Sequence, residues 1–404
     1  MTVRILSFSY CFPNRARPTW GMFVLQRLAA MARQEGIDLQ AVAPVPVFPL
    51  LSRREVKSLP SRDVMEGLDV HYPRYFYFPK IVKSLDGRLY ARGLRRWLDA
   101  VCRQWTPDVL DAHFVWPDGV GVSLLAEHLG LPYAITLRGW LYEAMKYPRI
   151  LRQCVAALRG AAAIISVSEH LAGTAIELGA PAERVRVIPN GVDTELFRLR
   201  DKESVRRQLG LPEGARLVVS VAHLGPRKGH REMIRALARL PRDVQLLIVG
   251  DDPDGGCNER ELRGLTNELG IDGRVTLVGR QSYDQVPLYY SAADLSVLAS
   301  YREGCPNVVL ESLASGTPVV ASNVGNVPDM IMDGHNGRIV PPRQVEPLAA
   351  AIQELLDQTP SPRAVRGSPA VRCWDEVAAD VCDVLCQAVG CNTAESQRIA
   401  LSVR

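Results

Sequence analysis

Short apolar runs alternate with helix-period segments along this chain, and the alternation starts afresh near residue 216. Few folds accommodate that pattern. A strand, a crossover helix and a second strand beside the first form a parallel βαβ unit. Repeated units build a doubly wound sheet with helices on both faces. In the first half the strand-like runs are residues 3–10, 39–45, 108–114, 132–138, 161–167 and 185–188, with helices expected over 21–34, 86–104 and 168–178. In the second half the strand-like runs are 216–222, 244–250, 275–279, 295–300 and 318–321, and helical patterns lie over 284–291, 345–356 and 374–388.

At 404 residues the chain exceeds the size at which one hydrophobic core stops growing, so two α/β domains are expected. The boundaries fall at 1–195 and 196–372, with 373–404 a terminal helix returning to the first domain and a polar, disordered tail. The charged segment 198–213 reads as the interdomain linker, and 358–370 as a second one. Apolar content of 47% and charged content of 23% are those of a globular protein. A net charge of +4 is too mild to argue for nucleic acid.

The N-terminus lacks the basic and then apolar run of a secretory leader, and no window offers the ~18 apolar residues of a membrane span. The expectation is a cytoplasmic protein, with peripheral contact at the inner face of a membrane open. Arg88, Arg92 and Arg96 share one face of the helix over 86–104, either solvated or turned to anionic head groups. Nine cysteines, an odd number, fit reduced thiols. Cys373, Cys382, Cys386 and Cys391 lack zinc-ligand spacing, and Asp251-Asp-Pro-Asp254 reads as loop solvation and helix capping, so no metal site is expected.

The chemistry concentrates in residues 301–321. A turn, Arg302-Glu-Gly-Cys-Pro-Asn307, leads from a strand into a helix with Pro306 at its first position, where a missing N–H costs nothing. The start of that helix is positively polarised and suits a phosphate, which makes Gly304, Cys305, Pro306 and Asn307 candidates for holding one. Glu303 stands at the mouth of the turn and Glu311 lies eight residues further, inside the helix. Two carboxylates so placed can accept hydrogen bonds from two hydroxyl-rich groups flanking a diphosphate.

Ala293-Asp-Leu295, Glu303-Gly, Glu311, Gly316-Thr-Pro-Val-Val320 and Gly325-Asn-Val-Pro-Asp329, in this order, resemble the Glu-x7-Glu signature of the retaining glycosyltransferases of family four. The resemblance covers about residues 3–385. It implies the GT-B fold, two Rossmann-like domains facing across a cleft, and transfer of a sugar from a nucleoside diphosphate sugar to a saccharide or lipid-linked saccharide. The first-loop pattern is similar to enzymes of bacterial polysaccharide biosynthesis. The donor is a substrate, and no cofactor is implied.

Residue by residue, Glu303 would hold hydroxyls of the transferred sugar and Glu311 the ribose diol. Lys228-Gly229 matches the pair that grips the pyrophosphate. His223 stands where the family has arginine, and Arg227 is the neighbouring cation. Arg280 ends the segment whose backbone edges the base. In the first domain Gly21 matches a loop glycine that lets backbone approach the donor, or is simply a helix-cap glycine. Arg138 replaces a histidine that contacts the donor sugar. His113, at a strand's end, orients hydroxyls or is structural. Pro189-Asn-Gly-Val-Asp193 matches the hinge. Residues 46–84, with five aromatics between Tyr72 and Phe78, form a loop-and-strand excursion, either an acceptor surface or a packed flap.

Two rivals stand beside this reading. A dinucleotide-dependent oxidoreductase would share the alternation, but no Gly-x-Gly-x-x-Gly follows a strand-like run. A non-catalytic nucleotide-sugar-binding protein would account for the altered Arg138 and His223 positions.

Overall fold

The computed structural model describes residues 2–48, 58–78, 82–252 and 255–390. They form two compact units, one of residues up to Asn190 together with the segment from Trp374, the other Gly191–Cys373.

The first unit holds β1 (Val3–Phe8), β2 (Ile37–Val42), β3 (Val45–Val47), β4 (Arg62–Met65), β5 (Leu68–His71), β6 (Arg74–Phe76), β7 (Val109–His113), β8 (Tyr133–Leu137), β9 (Ala163–Ser166) and β10 (Val185–Val187). Eight of these strands make one sheet in the order β10-β9-β8-β7-β1-β2-β5-β4. Its pairings are parallel except β4 with β5. Parallel strands are covered on both faces, and β1, β7, β8 and β9 accordingly carry buried residues almost throughout. The proline- and aromatic-rich excursion supplies β4 and β5 to the sheet edge, while β6 pairs with β3 in a small parallel ribbon.

The helix Trp374–Ala388 lays Val377, Val381 and Leu385 against Leu25, Leu28 and Met31 of the helix Met22–Ala32. Trp374 Nε1 donates to Gln26 Oε1 at 3.0 Å, and Arg33 pairs with Asp375 at 2.6 Å. Burying six large apolar side chains, at about 1.5–3 kcal/mol each, is what holds this late segment to the early one; the exposed ion pair adds little.

The second unit holds β11 (Arg216–Val221), β12 (Val244–Val249), β13 (Val275–Gly279), β14 (Leu295–Leu298), β15 (Val319–Ser322) and β16 (Gly337–Val340), all parallel, in the order β13-β12-β11-β14-β15-β16. The strand order reverses between β11 and β14. In a doubly wound sheet the crevice beyond the carboxyl ends of those two strands is where ligands bind.

Two segments read as linkers are structured. Within 198–213 lies the helix Lys202–Leu209, capped by the Asp201 carboxylate accepting from Ser204 N–H and closed by Gly210 at φ 64°. Its Arg206 is buried and donates to Asp294 at 2.9 Å and to three backbone carbonyls, an anchor that charge content alone did not suggest. Within 358–370 lies the helix Pro362–Arg366, whose Arg366 donates to the carbonyls of Phe197, Thr194 and Ala314.

The polar tail with Cys391, residues 49–57 of the excursion, and Pro253 and Asp254 lie outside the described residues. Asp252 of that acidic run caps the helix Cys257–Glu268, accepting from Glu259 N–H at 2.9 Å. No disulfide forms among the eight described cysteines. No helix among the described residues is long and apolar enough to cross a membrane.

Candidate functional site

In the second unit, β11 runs out into Ala222–Gly229 and β14 into Ala299–Asn307, side by side at the reversal of strand order. Gly229 joins the two loops. Its φ is 70°, and a Cβ there would sit 2.0 Å from the Ala299 carbonyl oxygen, so only glycine allows the approach. Tyr301 N–H donates to the Arg227 carbonyl at 2.9 Å, and its hydroxyl donates to the Glu232 carboxylate at 2.9 Å. This stitching sets Lys228 Nζ 2.6 Å from Glu303 Oε1, with both side chains largely shielded from water.

His223 sits above the same loop. Its Nδ1 accepts the Gly225 N–H at 3.0 Å. Because a backbone N–H can only donate, Nδ1 is unprotonated and the neutral ring carries its proton on Nε2. Burial, with Lys228 nearby, keeps the ring's pKa below the usual histidine value. His223 is therefore a single neutral donor where a guanidinium would bring a charge and a fork of donors. His230 Nε2 buttresses it from below through the His223 carbonyl at 3.1 Å.

The turn after β14 is clamped from the far side. Gly325, at φ 57°, lies so close that a Cβ would meet the Gly304 oxygen at 2.4 Å, and Asn326 N–H donates to that oxygen at 3.1 Å. Asn326 Nδ2 contacts Cys305 Sγ at 3.3 Å. Pro306 is the N-cap (φ −76°, ψ 99°), and the helix begins at Asn307, one residue later than its sequence suggests. Glu311 is buried on this helix; burial pushes its carboxyl up to about 7, against the neighbouring Tyr290 hydroxyl.

In the first unit the strand order turns between β1 and β7. His113, at the end of β7, is wholly buried; its Nε2 lies 3.1 Å from Asp111 and 3.2 Å from Ser7 Oγ, which itself donates to Asp111 at 2.7 Å. Burial drives the His113 pKa down to about 4 against the pull of Asp111. Burial alone would raise Asp111, but His113 and Arg27 hold it at about 2. Arg138 donates to Asn190 Oδ1 at 2.8 Å, with its guanidinium 4.8 Å from the Phe23 ring centre. Gly21 has φ 79°, and a Cβ there would lie 2.2 Å from the Cys11 oxygen, which is reason enough for glycine within its own unit.

The second unit thus gathers His223, Arg227, Lys228, Glu303–Asn307 and Glu311 on the loops and helix beside one sheet crevice. Arg280 is exposed at the end of the edge strand β13, two strands from β11. The first unit sets Gly21, His113 and Arg138 around the ends of β1, β7 and β8.

The comparisons agree across both units. The profile of Glycosyltransferase Family 4 matches residues 23–196, and that of Glycosyl transferases group 1 matches residues 201–367. The chain belongs to the family-four glycosyltransferases. A Bacillus subtilis protein, TuaC, whose name assigns it to teichuronic acid biosynthesis as a glycosyltransferase, is 29% identical over 87% of this chain and 88% of its own. Among solved structures, sucrose-phosphate synthase of Thermosynechococcus elongatus superposes with TM-score 0.77 at 23% identity, covering 95% of this chain and 98% of that one. HepE of Anabaena in complex with UDP gives 0.71 at 22%, covering 100% and 99%. The likeness to these solved structures places the transferase in the GT-B fold.

Sequence reasoning passed over several residues that shape the transferase's loops. Asn190 was legible only as part of the hinge motif, yet it is the partner of Arg138. Glu232 and Asn326 fix the two loops beside the sheet crevice but lie 71 and 23 residues from Glu303. Asp118, in Trp116-Pro-Asp-Gly119, is fully buried and accepts the Tyr10 N–H at 3.0 Å. An aspartate set between proline and glycine was the only signal the sequence offered.

Proposed function

We propose that this glycosyltransferase moves a sugar from a nucleoside diphosphate sugar to a saccharide or lipid-linked saccharide, with retention at the anomeric carbon, in assembly of a cell-surface polysaccharide. The observation that carries the reading is the Lys228–Glu303 ion pair at the reversal of strand order. Without a donor the two charges satisfy each other. When a diphosphate arrives, Lys228 turns its ammonium to the phosphate oxygens and Glu303 is released to accept hydrogen bonds from the sugar.

Departure of the nucleoside diphosphate builds negative charge on the leaving oxygen. In this reading Lys228, Arg227, the Nε2–H of His223 and the start of the helix Asn307–Ala314 offset that charge, the electrostatic stabilisation on which such a step depends. Glu311, ionised, accepts the ribose diol. With cations of the chain bearing the phosphate charge, no metal is assigned a role. Arg138 lies with Asn190 and Phe23 in the first unit, as a contact for donor or acceptor. His113, wholly buried on Asp111 and Ser7, supports that region from beneath. The exposed Arg88, Arg92 and Arg96 of the helix Asp86–Cys102 offer a face to the anionic inner surface of a membrane.

The family match, the TuaC relative and the fold likeness to a UDP-bound HepE support the reading. Thermal unfolding of the purified chain with UDP, GDP or ADP, each with and without EDTA, tests it. A ligand bound only by the native state raises the midpoint. A rise with one diphosphate, unchanged by EDTA, is expected and names the base; no response to any of them counts against it. Turnover of the matching sugar donor then separates a transferase from a protein that only binds sugar nucleotides.

A further inference from the structure

The first unit contains a cavity of about 270 Å³ between the Tyr10–Trp20 loop, the residues following β2, and the β3–β6 ribbon. It opens at the carboxyl ends of β1 and β2, the side of a parallel sheet on which ligands bind. We propose that this cavity is an acceptor subsite for an anionic saccharide, a pyranose ring lying on the aromatic wall with its negative charge on Arg17. Its role as acceptor subsite rests on the transferase reading; the binding does not.

Three features of the lining favour that ligand. The wall is aromatic: Trp20 stands edge-on to Tyr10 with ring centres 5.7 Å apart, and Tyr75 and Tyr77 line the same cavity. Such faces pack the C–H surface of a sugar, and tyrosine hydroxyls supply polar partners at their rims. The wall is also fixed in place, because Asp118 holds the Tyr10 backbone N–H, the Tyr10 ring packs on Phe114 at 5.1 Å, and Tyr75 packs on Tyr90 at 5.3 Å. The size lies just below the ~300–1,000 Å³ of sites for drug-sized ligands, which suits one substituted ring.

Charge decides the class. Arg15 is paired with Asp63 at 3.4 Å, and Lys83, 5.2 Å from the Tyr77 ring centre, is paired with Asp86 at 3.0 Å. Arg17 has no carboxylate partner among the described residues; its exposed guanidinium lies over the Trp20 ring, 4.9 Å from the centre. The Asn14 side chain fixes its backbone, accepting the N–H groups of Ala16 and Arg17 at 3.0 Å. A cation held against an aromatic face beside a ring-sized cavity is matched by a sugar bearing a carboxylate or a phosphate.

Tryptophan fluorescence and calorimetric titration of the full chain distinguish the sources of charge, with methyl glucuronoside, glucose 6-phosphate, methyl glucoside and inorganic phosphate as probes. One of the two charged sugars is expected to bind at least about tenfold more tightly than the neutral glycoside, and Arg17→Gln is expected to remove that margin. Trp20→Ala should weaken every sugar. Whichever charged sugar binds better identifies the anion. Equal binding of neutral and charged sugars, phosphate binding as tightly as sugar phosphate, no sugar binding, or an indifferent Arg17→Gln would each overturn the assignment. UDP, GDP and ADP titrated on the same samples keep the two readings apart. Both variants should hold their nucleotide affinity, and a wild-type chain that binds no diphosphate counts against the transferase reading alone.

Discussion

Lys228 and Glu303, 75 residues apart in sequence, meet at 2.6 Å because Gly229 lets one loop press against the backbone of the other. In the proposed mechanism this pair joins the cation meant for the leaving phosphate with the carboxylate meant for the transferred sugar, and an arriving donor separates them.

Glu303→Gln keeps the side-chain volume and removes the charge. Transfer should fall by roughly 10²–10³, the loss usual when one preorganised electrostatic contact is removed. Nucleoside diphosphate affinity should hold or improve slightly, since Lys228 is no longer neutralised. Initial rates and diphosphate titration on one preparation check both halves, and unchanged transfer would remove Glu303 from the mechanism.

Glu311 gives a pH dependence. Burial lifts its carboxyl to about 7, while a ribose diol needs the carboxylate. With about a tenth of the groups ionised one unit below the pKa, nucleotide affinity should be about tenfold weaker at pH 6 than at pH 8. Glu311→Gln should flatten most of that profile, and Glu311→Ala should weaken binding at every pH. A profile unaltered by Glu311→Gln would mean that another group titrates.

Gly229→Ala forces a left-handed backbone on alanine and a Cβ into the Ala299 carbonyl. The cost should exceed about 1–3 kcal/mol, the range for backbone strain alone, and lower the midpoint of unfolding by about 5 °C. Nucleotide affinity should fall as well, because Lys228 moves with its loop. A variant that loses neither stability nor affinity would show that the loops do not depend on this approach.

His230 should make the chain acid-sensitive. Its folded pKa is lowered to about 4, chiefly by burial, against 6.5 for the free side chain. Between those values the unfolded chain binds a proton that the folded chain does not. The stabilisation is complete above pH 6.5 and is lost as pH falls towards 4, by about 3 kcal/mol. His230→Gln, which keeps a donor for the His223 carbonyl, should remove about one proton from the slope of unfolding free energy against pH in this window. Denaturant titrations at pH 7, 6 and 5 measure that slope.

The family and the fold were legible in the sequence for a local reason. Strand and helix periodicities, the Glu303–Glu311 spacing and the Gly316-Thr-Pro turn depend on near neighbours, so they survive being read in one dimension. The helix Trp374–Ala388 was likewise readable from its own apolar stripe. The charged helix Lys202–Leu209 was not, because its stabilising partner, Asp294, is 88 residues from Arg206. What tertiary structure alone decided is which distant groups meet: Lys228 with Glu303, Asn190 with Arg138, Asn326 with Gly304, Asp118 with Tyr10. It also decided protonation. The sequence names His223 and Glu311, but only their burial and partners make one a neutral donor and set the other titrating near pH 7.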